Sequence, residues 1–219
     1  GDFDVAAAPP WKALFAGLLK TAARDGVIAY AAYGADMELK FMHPDWMGET
    51  PPPMIDVYKI GLRVWEDQPP KHSNRVLQYW RKPAGLNRDD ALPNHRAYPD
   101  ALVAAFLLRD LLNDEGVAVG QMVEWSALPA LTVRCYLSKY YNDGAGTPWA
   151  DVDSGMLQWI IDKGFEDKPD IRYSAEHHLA IRQESARAAA ERSALDAQLR
   201  ANGLPIDQIE AMPGGAAQS

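Results

Sequence analysis

The chain has 219 residues, 47% of them hydrophobic, including seven Trp and nine Tyr, which excludes a wholly disordered polymer and suffices for one large domain or a domain with an arm. The formal net charge of −8 argues against a general binder of nucleic acid or anionic membranes, since both want a basic face. The single Cys135 excludes an internal disulfide framework and a cysteine-based zinc site.

One cysteine suits a reducing compartment, no apolar run is long enough to span a bilayer, and no basic-then-apolar leader pattern is expected. The expected location is cytoplasmic, or within a soluble or particle assembly. Only residues 71–88 offer a local basic patch.

From Trp11 the apolar residues Leu14, Phe15, Leu18, Leu19 and Ala22 recur at three- and four-residue spacing, which predicts a helix ending at Gly26 with a stripe docked on the core. Val27–Tyr33 suits a strand or a helix. After Gly34, Asp36, Glu38 and Lys40 alternate with Met37, Leu39 and Phe41, the period of a strand with one wet face, so a hairpin is expected near Gly34. Residues 43–54 read as loop. Ile55–Trp65 suggests a third strand, with helix as the alternative. Ser73 is placed to cap a short helix carrying Val76, Leu77, Tyr79 and Trp80, and Ala84–Arg96 forms a long loop.

Tyr98–Gly116 is the central element: Pro99 suits a first helical turn, Gly116 a left-handed end, and the apolar residues between them run almost all the way round. Val117–Trp125 reads as a strand or extended crossing, Leu131–Tyr141 as a helix, and Ser154–Lys163 as a further helix closed by Gly164. Asn142–Asp170 carries seven acidic and two basic residues, a negative surface. Ser174–Asn202 reads as one long Ala-rich helix in which four acids balance four arginines. Leu179, Ile181, Leu195 and Leu199 are its large apolar side chains, a stripe too thin for a well-packed face.

These elements predict an α-rich α+β fold: a central apolar helix surrounded by helices, a small antiparallel sheet in the N-terminal half and a long C-terminal helix. Residues 1–170 would form the globular domain, 171–203 an interaction arm and 204–219 a tail.

Glu38-Leu39-Lys40, with Asp25 ahead of the preceding apolar segment, resembles the core of the PD-(D/E)xK nucleases. That resemblance implies Asp25 and Glu38 as Mg²⁺ ligands and Lys40 as the catalytic lysine. Alternation alone also predicts such a row as the solvated face of a strand. His43, His72 and His95 lie in loops, and a metal enzyme would need them to converge. His177 and His178 are adjacent, so on a helix they point about 100° apart and do not share one metal readily. Asp151 and Asp153 fail the calcium-loop spacing, because Gly155 stands where the third ligand belongs. Cys135, placed mid-helix, reads as a buried structural thiol. Trp46, Trp65, Trp80, Trp125 and Trp149 flank Pro-containing loops, as interface anchors or as packing.

Without a catalytic signature, the preferred expectation is a non-enzymatic structural or adaptor subunit, for example a viral particle or connector component. It would dock through Pro/aromatic loops and through Leu179, Ile181, Arg182, Arg192, Leu195 and Leu199. Partners would be other protein subunits or further copies, with no membrane, no cofactor and nucleic acid unlikely. The alternatives are the Mg²⁺-dependent nuclease and the loop-histidine metal enzyme.

Overall fold

The computed structural model describes residues 10–42, 50–65, 68–69, 73–137 and 146–202, without the side chains of residues 11 and 12. Helix α1 (Trp11–Arg24) buries Leu19 and Ala22 but leaves Leu14 and Leu18 exposed, so only part of the expected stripe docks. Strand β1 (Tyr30–Ala32) follows. The predicted hairpin is absent: Gly34 turns at φ +74° and the chain enters a one-and-a-half-turn helix, α2 (Asp36–Phe41), with no buried residue. The alternation in that segment therefore does not mark a buried face.

Strand β2 (Met54–Asp56) pairs with β1 in parallel, Tyr30 opposite Met54 and Ala32 opposite Asp56. The sheet of the N-terminal half is thus parallel, and the antiparallel pair lies later in the chain. Only the start of Ile55–Trp65 is strand; helix α3 (Val57–Val64) takes over, because the Asp56 carboxylate caps it by accepting from the N–H groups of Tyr58 and Lys59.

Helix α4 (Asn74–Arg81) starts after Ser73, whose hydroxyl makes no capping bond. Helix α5 (Ala97–Asn113) is the expected central element and buries Pro99, Val103, Ala104, Leu107, Asp110 and Leu111. Gly116 sits at φ +67°, the conformation that a glycine adopts without steric cost, and the Val117 N–H returns to the Leu111 carbonyl. Helix α6 (Val119–Ala127) replaces the predicted extended segment; Met122 and Ser126, four apart, face inward. Ile55, Val57, Ile60, Trp65, Leu77, Val103, Leu107 and Met122 belong to this first core. Fully burying each large apolar side chain there contributes about 1.5–3 kcal/mol.

A second core lies downstream. Residues 131–137 do not form the expected helix: β3 (Arg134–Cys135) pairs antiparallel with β4 (Thr147–Pro148), and the rest of that predicted helix lies outside the described residues. A 3₁₀ turn at Trp149–Asp151 leads to α7 (Ser154–Lys163), whose N-cap is the Asp153 carboxylate rather than Ser154. Helix α8 (Pro169–Ala201) starts five residues before Ser174, with Pro in its first turn. Ser174 is instead buried, donating to the Asp170 carbonyl and receiving the Thr132 N–H. Cys135, Trp149, Val152, Leu157, Ile160, Ile171 and Ala175 pack together.

The α-rich α+β class stands, with a long C-terminal helix. Among the described residues no helix is long and apolar enough to cross a membrane.

Asp56 is 3% exposed and accepts four backbone N–H bonds, from Gly34, Ala35, Tyr58 and Lys59. Asp56→Ala leaves these donors without their acceptor and is expected to cost about 3 kcal/mol or more. Urea denaturation checks this; a loss below about 1 kcal/mol refutes the clasp's importance.

Candidate functional site

The two parallel strands end side by side, and ligands of α/β sheets favour the carboxyl ends of strands. Three groups occupy this corner. Asp56 is consumed by the backbone. Tyr33 and Tyr58 pack at 5.6 Å between ring centres. Burial, more than the neighbouring charges, pushes both hydroxyls upward; Asp56 adds to the effect on each, and Tyr58 also feels Asp170. Asp36 stands exposed in the first turn of α2, directly after β1.

The residues of the PD-(D/E)xK reading take different places. Asp25 caps the end of α1 and pairs with Arg24 at 2.7 Å on the surface. Glu38 and Lys40 are exposed on α2, so the strand that this resemblance requires under them is a helix.

Helices α4 and α5 run side by side in the same sense. At their starting ends the Asn74 side-chain amide lies 3.4 Å from the Asp100 carboxylate. At their far ends Arg81 pairs with Asp110, Asp114 and Glu115. His95, just before α5, is exposed and held at φ +61°, a left-handed conformation unfavourable for a side chain with a Cβ. Of the loop histidines only His95 is described; His43 and His72 lie outside the described residues, as does Trp46.

The seam between the cores holds a third group. The Arg63 guanidinium donates to the Tyr173 hydroxyl at 2.8 Å and lies over the Trp125 and Tyr173 rings. His178 stacks on Trp149 with ring centres 5.7 Å apart and meets His177 edge-on. Burial, followed by the charges of His177 and Arg182, pushes the His178 imidazole down to about 4. Burial and then Arg63 lower His177. Cys135 lies on β3, not within a helix, fully buried, and burial raises its thiol, which makes it unreactive.

The residues expected to bind a partner through α8 divide. Leu179 packs on the second core, and Arg182 donates to the carbonyls of Trp149 and Ala150 and to the Ser154 hydroxyl. Both are committed to their own chain. Ile181 and Leu195 are 46% and 55% exposed, Arg192 is exposed and Leu199 is partly covered.

A metal-dependent hydrolase needs several ligands converging on its ion. Among the described residues no three His, Cys, Asp or Glu side chains are placed to hold a metal ion. The described residues therefore make no complete metal cage.

No protein-family model matches the chain. Exodeoxyribonuclease 10 of Escherichia coli strain K12 is 29% identical over 150 residues, covering 68% of this chain and 64% of that protein. The protein of the same name from Escherichia coli O6:H1 is similar to the same extent. The chain thus spans just under two thirds of the length of these curated relatives. Among solved structures, Exonuclease X in complex with 5′ overhanging duplex DNA shares 29% identity, covering 45% of this chain and 55% of that one, with a TM-score of 0.34.

The similarity to Exodeoxyribonuclease 10 corrects two expectations. The non-enzymatic structural or adaptor subunit, with its viral-particle example, is overturned, because the curated relatives are nucleases. The expectation that nucleic acid is unlikely falls with it. Net charge is a weak guide on this point, because it averages over the whole surface, whereas a nucleic-acid binder needs only one suitable face. What sequence reasoning missed is the start of α5, where the His95 backbone geometry is invisible in the residue pattern.

Because His178 is held neutral in the fold, the unfolded chain takes up its proton first as pH falls. The His178 contribution to stability is therefore complete above pH about 6.5 and is lost as the pH falls toward about 4. Denaturation midpoints measured across that window should decline, and should decline less in His178→Gln. Equal declines in the two proteins rule this out.

Proposed function

We propose that the chain acts on DNA as an exodeoxyribonuclease-like protein. The observation that carries the reading is the 29% identity over 150 residues with Exodeoxyribonuclease 10. Two local features support it. Asp36 stands unburied at the carboxyl end of the parallel pair, and among the described residues it forms no ion pair. Helix α5, whose first turn carries Asp100, packs against β1.

Hydrolysis of a phosphodiester needs a group that takes a proton from water and groups that position the phosphate. His95 is the candidate for the proton. Its imidazole is exposed, and its strained backbone fixes where the side chain leaves the chain just before α5. Asp100, oriented by the Asn74 amide, and Asp36 are the candidate positioning carboxylates. Glu38 and Lys40, on the same short helix as Asp36, belong to this reading as neighbours of the site rather than as a strand-borne pair.

The test uses end-labelled single-stranded and 5′-overhanging duplex oligonucleotides, with and without Mg²⁺, resolved on a denaturing gel. The expected result is stepwise shortening from an end. His95→Ala and Asp100→Asn should each slow it by about 100-fold or more without changing the circular dichroism spectrum. If the wild-type chain neither binds nor shortens any of these DNAs, the reading is wrong.

A further inference from the structure

The surface best suited to hold such a substrate lies on α4. Residues 73–88 carry four basic side chains, Arg75, Arg81, Lys82 and Arg88, and no acidic one, in a chain whose net charge is −8. Arg81 is neutralised from within, by Asp110, Asp114 and Glu115. Arg75, Lys82 and Arg88 are exposed and form no ion pair among the described residues.

Arg75, Tyr79 and Lys82 are spaced four and three apart, so they line one face of the helix and its left-handed end. Tyr79 is 41% exposed, and the Arg88 guanidinium lies 4.5 Å above its ring centre. Trp80 and Val76 are also exposed beside it. Two exposed acids follow Arg88 and bound the row on that side; Asn87 donates to the Asp90 carboxylate and receives the Asp89 backbone N–H. Unneutralised cations interleaved with an exposed aromatic ring are what a strand with free bases needs, cations for its phosphates and a ring for stacking; Arg88 covers one face of Tyr79 here and leaves it to a base by moving onto a phosphate. The row begins beside the corner where Asn74 meets Asp100, so it leads away from the His95 end of α5.

We propose that this outer face of α4 is a single-stranded DNA track, with Arg75, Lys82 and Arg88 on the phosphates and Tyr79 under a base. The inference rests on the reading of DNA as substrate, and adds which surface holds the strand and in what form.

The experiment is fluorescence anisotropy of labelled oligo(dT) and of a blunt duplex, read against salt concentration. The proteins are wild type, Arg75→Ala/Lys82→Ala/Arg88→Ala and Tyr79→Ala, each checked for folding by circular dichroism. The triple variant should bind oligo(dT) about 10-fold or more weakly. Its plot of log affinity against log salt should flatten by about 2, at roughly 0.7 for each lost phosphate contact. Tyr79→Ala should weaken oligo(dT) about 10-fold and leave the duplex unchanged. Folded variants with wild-type affinity and salt slope overturn the track alone. Equal losses on oligo(dT) and duplex overturn the assignment to free bases. A wild-type protein that binds neither DNA overturns both this inference and the proposed function. Should either variant fail to fold, Arg75→Gln/Lys82→Gln/Arg88→Gln and Tyr79→Ser replace them with the same criteria.

Discussion

A single buried carboxylate ties the first half of the chain together. Asp56 ends β2, starts α3 and receives the Gly34 and Ala35 N–H groups that leave β1. Its own N–H is held by the Ser126 hydroxyl of α6 at 2.8 Å, and that hydroxyl donates onward to the Met122 carbonyl. A buried carboxylate is costly unless its lone pairs are filled. Here amide dipoles fill them, which suits a group whose role is to fix backbone. The result is that two strand ends, the entry to α2 and the start of α3 share one anchor, and Asp36 is presented in the turn that follows.

The rest of the first core hangs on that anchor through α5. Lys59, one turn into α3, reaches the Ser126 and Leu128 carbonyls, and Trp65 at its far end donates to Glu115 beyond α5. The second core is attached through α8: Asp170 receives the Ala130 N–H, Ser174 bonds Thr132, and Tyr173 receives Arg63. These cross-links are polar and specific, so they fix orientation more than they add burial.

The sequence made the central helix legible because its signals agree: Pro99 near the start, Gly116 past the end and apolar residues between. It failed where a short pattern has two physical meanings. Asp36–Phe41 alternates as a strand does, yet α2 buries none of its residues, so alternation carried no information about a buried face. Residues 119–127 contain β-branched residues, but Met122 and Ser126 are buried four apart, and packing against β2 decides for helix. Leu131–Tyr141 carries helical spacing in the sequence, but pairing with Thr147–Pro148 holds Arg134 and Cys135 extended. The candidate site was harder still. His95 was visible only as one histidine among several loops. Its left-handed backbone leaves no mark in the residue pattern, and the meeting of Asn74 with Asp100 comes from the approach of α4 to α5, which no local pattern encodes.

Helix α8 lives under two regimes along one continuous run of hydrogen bonds. Up to Arg182 it is clamped by Trp149, Ala150 and Ser154 and by the second core; beyond that, nearly every residue to Ala201 faces water. The outer turns rest on alanine's backbone preference and on surface pairs such as Arg187–Glu191. Their amide protons should therefore exchange with solvent through fraying from the free end, while those of the inner turns wait for the second core to open.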